Sequence, residues 1–197
     1  MEKFYLEEAS IKRKEEAIEY VLEFKERNEA LAGDSSLDEE YQNYEQWLKN
    51  RELQRDPKTN PSERCLCIQY FLIRENDNKI IGMINLRWDL DEWMLKYAGH
   101  IGSSIRPSER GNGYSKISIY LCLLEARKLG LDKVLVVAND NNTPSVKGIL
   151  SLGGTLENKI DNEGNTMGRY WIDVNDSIDK YYDQYKENIK ELKKVRK

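Results

Sequence analysis

The most informative stretch of the chain is Arg106-Pro107-Ser108-Glu109-Arg110-Gly111-Asn112-Gly113-Tyr114-Ser115, which lies between a predicted strand and a predicted helix. Glycines in such a turn let the backbone point several N–H groups at one place, and the start of the following helix adds about half a positive charge. The stretch therefore predicts an anion site. A Gly-x-Gly turn also has purely structural uses, so the flanking sequence must decide between the two interpretations.

Three strands are predicted before this turn. Residues from Cys65 to Glu75 and from Lys79 to Trp88 are mostly apolar, and the polar Asn76-Asp77-Asn78 between them is typical of a tight hairpin. Ala98 to Ile105 is the third predicted strand and is rich in glycine and serine. Small residues in a strand indicate that another part of the molecule approaches its backbone closely.

After the turn the pattern becomes helix, strand, helix and two further strands. The helices span about 113–129 and 143–152, and the strands span about 133–138, 155–160 and 168–174. A strand, a helix and a second strand in this order predict a βαβ unit. The core is therefore predicted to be α/β with a mixed sheet.

Helical spacing of apolar residues continues on both sides of this core. It runs from Ile11 to about Leu31, and a second helix is predicted after Ser36, which would act as its cap. We assign residues 1–175 to one domain, with a helical substrate-side region at 1–60 and a core at 65–174. Residues 176–197 are a predicted C-terminal helix that packs on the domain, makes a homodimer contact or stays partly solvated.

The composition excludes several classes of partner. The chain has 31 Lys and Arg against 35 Asp and Glu, a net charge of −4, and no basic block that would indicate a nucleic acid. It has no signal-peptide pattern and no run near the roughly 20 apolar residues of a membrane span, so we expect a cytoplasmic protein without membrane contact. Cys65, Cys67 and Cys122 lack the spacing of a metal site, so we predict free thiols and no metal.

Two nucleotide-binding motifs fail against the turn. A Walker A loop requires Lys directly after its last glycine, whereas Tyr114 follows Gly113. A dinucleotide fingerprint that starts at Gly111 requires a third glycine where this chain has Lys116, and Asp140 comes late for the acidic residue that binds the ribose. Neither motif explains the turn.

The turn instead resembles a third motif. Arg110-x-x-Gly113-x-Ser115 is similar to the Arg/Gln-x-x-Gly-x-Gly/Ala motif of the GNAT acyltransferase superfamily, with serine in place of the usual small apolar last residue. The resemblance covers about residues 65–174 and includes Gly99-His100-Ile101-Gly102, Asp140 to Ser145 and Gly153-Gly154. Order, spacing and predicted elements agree, and the likeness is to a bacterial group of predicted acetyltransferases.

This resemblance implies a fold and a cofactor site. The fold is a single acyl-CoA N-acyltransferase domain, whose mostly antiparallel sheet, flanked by helices, splays at its central parallel strand pair so that the thioester enters the gap. Backbone groups at Ile105 and Arg106 would contact the pantetheine of acetyl-CoA, and Asn142 and Ser145 would lie along its path. The pyrophosphate would be held by Arg110, Gly111, Asn112, Gly113, Tyr114 and Ser115.

The implied reaction is transfer of an acetyl group from acetyl-CoA to a primary amine by direct attack in a ternary complex. The acceptor would be a small-molecule or peptide amine, bounded by the region before residue 65 and by the loop from Trp88 to Leu95. Two other functions remain open: a non-catalytic module that senses acyl-CoA, and an interaction protein that uses the Tyr-rich tail.

Direct attack requires a neutral amine, and at pH 7 an amine with a pKa near 10.4 is only about one part in a thousand neutral. His100 is a candidate base because its reference pKa suits the task, although a lone histidine is more often structural. Glu92, beside Asp89 and Asp91, is a candidate that would supply a carboxylate instead.

The departing thiolate also needs a proton. The resemblance puts the usual proton-donating tyrosine at the position of Ile149. Tyr170 or Tyr114 would then protonate the thiolate, or the thiolate would leave as the anion, which a thiol pKa near 8.5 allows.

Overall fold

The computed structural model describes residues 2–61 and 65–190. Its strands are β1 (Phe4–Glu8), β2 (Leu66–Arg74), β3 (Lys79–Trp88), β4 (Ile101–Ile105), β5 (Lys133–Asn139), β6 (Thr155–Asn162) and β7 (Asn165–Asp173). Its helices are α1 (Lys14–Glu26), α2 (Leu37–Glu40), α3 (Tyr44–Leu53), α4 (Glu92–Tyr97), α5 (Tyr114–Lys128), α6 (Thr143–Leu150) and α7 (Val174–Tyr185). No helix in the two described segments is long and apolar enough to cross a membrane.

The strands form two sheets in which every ladder is antiparallel. The first sheet has the order β1-β2-β3-β4, and the second has the order β5-β7-β6. Helices α1 and α3 cover one face of the first sheet, and α5 and α7 lie on the other side. The predicted α/β architecture is confirmed.

The two sheets separate between β4 and β5. An isolated bridge joins Gly99 to Val136. Beside it, His100 N donates to Leu135 O at 2.7 Å, and Leu135 N donates to the ring atom His100 Nδ1 at 3.0 Å. The imidazole therefore occupies the N–H of Leu135, which would bond to a backbone carbonyl if β4 and β5 continued as one ladder. The sequence predicted one mixed sheet with a splayed parallel pair, whereas the splay divides the described strands into two antiparallel sheets.

Each face of the first sheet has its own apolar core. The cluster on the α1 side includes Tyr20, Phe24, Trp47, Phe71 and Met83. The cluster on the α5 side is larger and continues beneath the second sheet, because it includes side chains from β5, α6 and β7. Burial of these apolar groups drives folding, and the shared cluster fixes the two sheets relative to each other across their gap.

The loop after α1 lies directly on β4. A Cβ on Gly33, whose φ is +75°, would be 2.4 Å from Gly102 O and 2.7 Å from Ser103 Cα. Only glycine fits this position, because any side chain would overlap backbone atoms in a conformation that L-residues rarely adopt. The prediction that another part of the molecule approaches this strand closely is confirmed, and the loop at residue 33 is that part.

Three local features differ from the sequence predictions. Strand β1 lies in the region predicted to be helical. It could not be predicted from the sequence, because five residues are too few to establish an alternating pattern and its partner, β2, is distant in sequence. Helix α4 replaces a predicted connection, with Asp91 as its cap. Ser36 has φ 66° and makes no capping bond; instead Asp34 Oδ2 accepts from Asp38 N at 2.9 Å.

The C-terminal helix α7 packs on the domain. Tyr185 lies against Tyr120 of α5 with ring centroids 4.7 Å apart. Beyond α7, Phe4 N donates to Asn188 O at 2.8 Å and Lys190 N donates to Phe4 O at 2.9 Å, so the tail borders β1. The sequence predicted a helix over residues 176–197, whereas α7 ends at Tyr185 and residues 186–190 are not helical, because their backbone bonds to Phe4 instead; from residue 191 onward the prediction lies outside the described residues.

Candidate active site

The turn before α5 forms an open cradle. Gly111 and Gly113 have φ values of +86° and +80°, and a Cβ on either residue would meet nothing within 4 Å. Gly113 precedes α5 without a side-chain capping bond. Within the described residues, no acceptor takes the N–H groups of Tyr114 and Ser115. Free N–H groups, space and a helix start are the components of an anion site.

The side chain of Arg110 is engaged outside the cradle. Its Nη1 lies 2.6 Å from Glu29 Oε2, and its Nε donates to Ile105 O at 3.3 Å. The guanidinium also lies over the Phe24 ring, 5.3 Å from its centroid. The Arg110 N–H donates to Pro107 O at 3.4 Å, and the side chain ties the turn to the end of α1.

Two further side chains of the turn are also engaged. The Tyr114 hydroxyl donates to Glu2 Oε2 at 2.7 Å, and only 7% of the residue is exposed. The Asn112 amide donates to Glu109 O at 3.1 Å. These bonds hold the turn in shape, and they leave its backbone as the part that is available to an anion.

The edges of β4 and β5 present backbone groups to the gap. Arg106 N donates to Ile81 O at 2.8 Å, so its N–H is used within the first sheet. Alternation along the strand therefore directs the backbone groups of Ser103 and Ile105 to the opposite edge, toward β5. Since Leu135 faces His100, the same alternation directs the backbone groups of Val137 into the gap. An extended chain such as pantetheine can pair with such edges.

The Arg106 side chain has a structural environment. It is 7% exposed, its Nε lies 3.7 Å from Glu23 Oε2, and its guanidinium lies 5.4 Å from the centre of the Tyr20 ring. Neither its side chain nor its N–H faces the gap. Backbone groups of both Ile105 and Arg106 were predicted to contact pantetheine. The geometry supports this contact for Ile105, whose backbone groups face the gap, and not for the N–H of Arg106.

Helix α6 begins near the cradle. Asn142 is its cap, and its Oδ1 accepts from Ser145 N at 3.2 Å. Helices α5 and α6 approach closely, because a Cβ on Gly148 would lie 3.4 Å from Ser115 Oγ. The predicted set is thus divided between two helices that contact each other, with Ser115 at the start of α5 and Asn142 and Ser145 at the start of α6.

His100 lies at the narrow end of the gap, but its ring is already committed. Nδ1 accepts the N–H of Leu135, so the neutral ring carries its proton on Nε2 and has no free lone pair. Burial, followed by the charge of Arg87, lowers the pKa of His100 to about 4. The geometry and the pKa both favour a structural imidazole that joins the two sheets.

The other two predicted catalytic residues lie on different elements, Glu92 on α4 and Tyr170 on β7. Glu92 is exposed in the first turn of α4. Tyr170 is 4% exposed on β7, and its hydroxyl would lie 2.6 Å from a Cβ on Gly168, which pairs with Ala138 of β5. Ile149 is fully buried and offers no hydroxyl.

Sequence reasoning missed a carboxyl group near β4. Asp34 follows Gly33, is 6% exposed, and has its pKa raised to about 7, chiefly by burial and further by Asp38. The sequence contained only a weak signal, because Gly33-Asp34-Ser35-Ser36 is typical of an ordinary break between helices. Its burial depends on the packing of that loop against β4.

A cavity of about 670 Å³ lies elsewhere, at the end of the second sheet near α7. Its lining includes Lys133, Trp171, Asp173, Lys180 and Tyr181. None of the residues that the sequence analysis assigned to the site lines this cavity. The residues predicted to bind the cofactor lie instead at the cradle, at the end of β4 and on α6.

Comparisons with known proteins agree with this geometry. Residues 19–152 match the acetyltransferase (GNAT) family. The fold is similar to a putative GNAT-family acetyltransferase from Bordetella pertussis (17% identity, 85% of this chain and 93% of that one, TM-score 0.62). It is also similar to Mycobacterium smegmatis RimJ in complex with CoA-disulfide (11%, 93% and 92%, 0.67) and to yncA from Salmonella typhimurium with acetyl-CoA (14%, 87% and 94%, 0.59). The sequence matches no curated protein.

The matched segment runs from α1 through α6, so it contains the loop at Gly33, both edges of the gap and the cradle. The residues present also fit the cofactor of this family, because the cradle offers free N–H groups to a pyrophosphate and the gap offers strand edges to a pantetheine arm. The chain therefore belongs to the acetyltransferase (GNAT) family and is an acyltransferase whose cofactor is acetyl-CoA.

Proposed function

We propose that the protein transfers the acetyl group of acetyl-CoA to a primary amine, by direct attack of the amine in a ternary complex. The observation that carries this proposal is the open cradle at Gly111 and Gly113, where two positive φ values and unfilled Cβ space precede a helix start. A pyrophosphate bound there would lie at the wide end of the gap. Its pantetheine arm would then run along the strand edges toward the narrow end.

Acetyl-CoA supplies the acetyl group, which moves to the amine nitrogen as the thiolate departs. The N–H of Ser103, on the β4 edge that faces the gap, is suited to polarise the thioester carbonyl. Asp34 is suited to accept the proton of the amine, because its buried carboxyl has a pKa near neutrality and follows the glycine that lies on Gly102. His100 holds the strands in register instead.

Protonation of the thiolate is assigned to Tyr170. The family resemblance expects a tyrosine at the position of Ile149, and Tyr170 offers a hydroxyl on β7, which pairs with β5. Tyr170→Phe should lower kcat at least about 10-fold and leave acetyl-CoA affinity unchanged. An unchanged kcat would mean that the thiolate leaves as the anion.

One observation favours a second candidate, a non-catalytic sensor of acyl-CoA. Ile149 places a buried aliphatic group where the family resemblance expects a proton donor. Turnover separates the two functions, because a sensor binds acetyl-CoA and releases no CoA with any amine. The acceptor as a small-molecule or peptide amine, the cytoplasmic location, the homodimer and the lack of a nucleic-acid partner remain predictions.

The first test is calorimetric titration of acetyl-CoA into the wild type, Gly113→Trp and Gly130→Trp. Gly130 is a matched control, since its φ is +78° and a Cβ there also meets nothing within 4 Å, but it follows the opposite end of α5. We expect saturable binding to the wild type and to Gly130→Trp, and a loss of at least about 100-fold in Gly113→Trp. Equal binding to both variants would contradict a phosphate site at the cradle.

A further inference from the structure

Arg87 of β3 lies beside the narrow end of the gap. Its backbone N donates to His100 O at 2.8 Å, and its side-chain Nη2 donates to Ala98 O at 3.2 Å. A Cβ on Gly102 would lie 2.9 Å from Nη2 and 3.3 Å from Gly33 Cα. The guanidinium therefore covers β4 at Gly102, on the face where the loop after α1 packs.

No carboxylate of the described residues forms a salt bridge with Arg87. Among the described residues, its only side-chain hydrogen bond goes to the carbonyl of Ala98, and its Nε is buried without any partner. Burial lowers its pKa, opposed only by the thiols of Cys65, Cys67 and Cys122. Arginine stays charged in proteins, so this half-buried cation lacks a carboxylate partner in the part of the chain that the structure describes.

Other shielded arginines of the molecule show a different pattern. Four of them pair with at least one carboxylate: Arg13 with Glu7 and Glu16, Arg74 with Asp77 and Glu109, Arg106 with Glu23, and Arg169 with Glu157. A buried ion that lacks its counter-ion costs several kcal/mol. The contrast between Arg87 and these four arginines therefore indicates a carboxylate partner that arrives from outside the chain.

The position of Arg87 distinguishes between the two substrates. Gly102 is three residues before Ile105, which at about 3.3 Å per residue puts Arg87 roughly 10 Å from the end of the strand that leads to the cradle. The phosphates bound at the cradle are then out of reach of Arg87. The acceptor, which must meet the thioester at the narrow end, is the substrate that this cation faces.

We propose that Arg87 binds a carboxylate carried by the acceptor, so that the acetylated amines are amino acids or other amines that bear a carboxylate. This inference rests on the proposed function. A guanidinium presents Nε and Nη donors in a planar fork that matches the two oxygens of a carboxylate. The acceptor amine is acetylated as described above, and its carboxylate remains unchanged.

The test compares L-amino acids with their α-amides as acceptors, together with 1,4-diaminobutane as an amine that lacks a carboxylate. CoA release is measured for the wild type, Arg87→Gln, Arg87→Lys and the control Arg127→Gln, whose side chain is exposed on α5. Acetyl-CoA binding is measured for each protein first, so that a folding defect is detected independently of turnover.

We expect the wild type and Arg127→Gln to prefer the free acid over its amide by at least about 10-fold in kcat/KM, which corresponds to about 1.4 kcal/mol. Arg87→Gln should bring the ratio near one, and Arg87→Lys should retain part of it because the charge remains. These changes should appear in KM for the acid, while acetyl-CoA affinity stays unchanged.

Several results would overturn the inference. They are equal use of acids and amides by the wild type, an acid preference that survives in Arg87→Gln, or acetylation of 1,4-diaminobutane but of no amino acid. Acetyl-CoA binding without turnover of any amino acid would overturn it as well, and would favour the sensor. Failure of the wild type to bind acetyl-CoA would overturn the proposed function itself, and the inference with it.

Discussion

The two halves of the site are built in different ways. On the cofactor side, backbone N–H groups of consecutive residues form the cradle, and the nearby side chains bond elsewhere. On the proposed acceptor side, Gly33 and the guanidinium of Arg87 both lie against Gly102 of β4, although they come from a loop and a strand that are far apart in sequence. Phosphate recognition can thus be specified by a short motif, whereas acceptor recognition depends on how the fold packs.

This contrast predicts that one methyl group at Gly33 has the largest effect. Gly33→Ala adds the strain of positive φ to overlap with the backbone of β4, so we expect a loss of about 3–4 kcal/mol in the free energy of unfolding. Chemical denaturation measures this loss. KM for the acceptor should rise as the loop moves, with acetyl-CoA affinity retained.

Gly164→Ala is the control for the Gly33 variant. Gly164 has φ +82°, and a Cβ there meets nothing within 4 Å, so only the strain of about 1 kcal/mol remains. Equal losses in the two variants would show that the loop can leave β4 without cost. The acceptor half would then not depend on close packing.

Asp34→Asn should give the next largest effect, and it should depend on pH. The folded-state pKa of about 7 lies above the unfolded value near 3.9, so the folded chain binds the extra proton and wild-type stability falls as pH rises between these values. The asparagine side chain does not titrate, so Asp34→Asn removes this pH-dependent loss of stability. Above pH 7 we expect the variant to be more stable than the wild type by roughly 2–4 kcal/mol, where the upper value corresponds to the full difference between the two pKa values, and below pH 4 we expect no difference in this contribution.

Thermal unfolding across pH 4–8 measures that difference, with the exposed Asp179→Asn as the control. The same variant tests the assigned base. The wild-type kcat/KM should rise with pH through a pKa near 7, and this limb should disappear in Asp34→Asn. A retained limb would assign the base to another group, even if the stability prediction holds.

The smallest effect is expected at Arg110. Its side chain is 44% exposed in an ion pair with Glu29, and such pairs contribute less than about 1 kcal/mol. Arg110→Ala should therefore change acetyl-CoA affinity by less than about 5-fold in calorimetry. A loss above about 30-fold would mean that the guanidinium leaves Glu29 for the phosphate. The cofactor half would then depend on side chains as well.

The sequence was most informative where local pattern determines structure. The turn at Gly111 and Gly113, the helix that follows it and the strand from Lys79 to Trp88 were all predictable, because positive φ, helical periodicity and apolar runs are local properties. The close approach to β4 was also predictable from its small residues, although the identity of the approaching loop was not.

Tertiary features could not be predicted in the same way. The lone histidine suggested a base, yet its function depends on a bond between its ring and the backbone of Leu135. The charge of Arg87 became informative only once its surroundings were known to lack a carboxylate. The sequence places Asp34 in an ordinary break between two helices, and only the packing of Gly33 on β4 shows that this break is a closely packed loop with a buried carboxyl group. The roles of these three side chains depend on tertiary contacts, which the identity of a single residue does not reveal.

The pairing of Phe4 with residues 188–190 has a consequence for the chain during its synthesis. The outer edge of β1 stays open until these late residues have left the ribosome, because Asn188 and Lys190 supply the bonds that cover it. An open strand edge can pair with other chains. The first sheet can therefore close this border only after residues 188–190 have been synthesised, and until then the outer edge of its first strand is available for pairing with other chains.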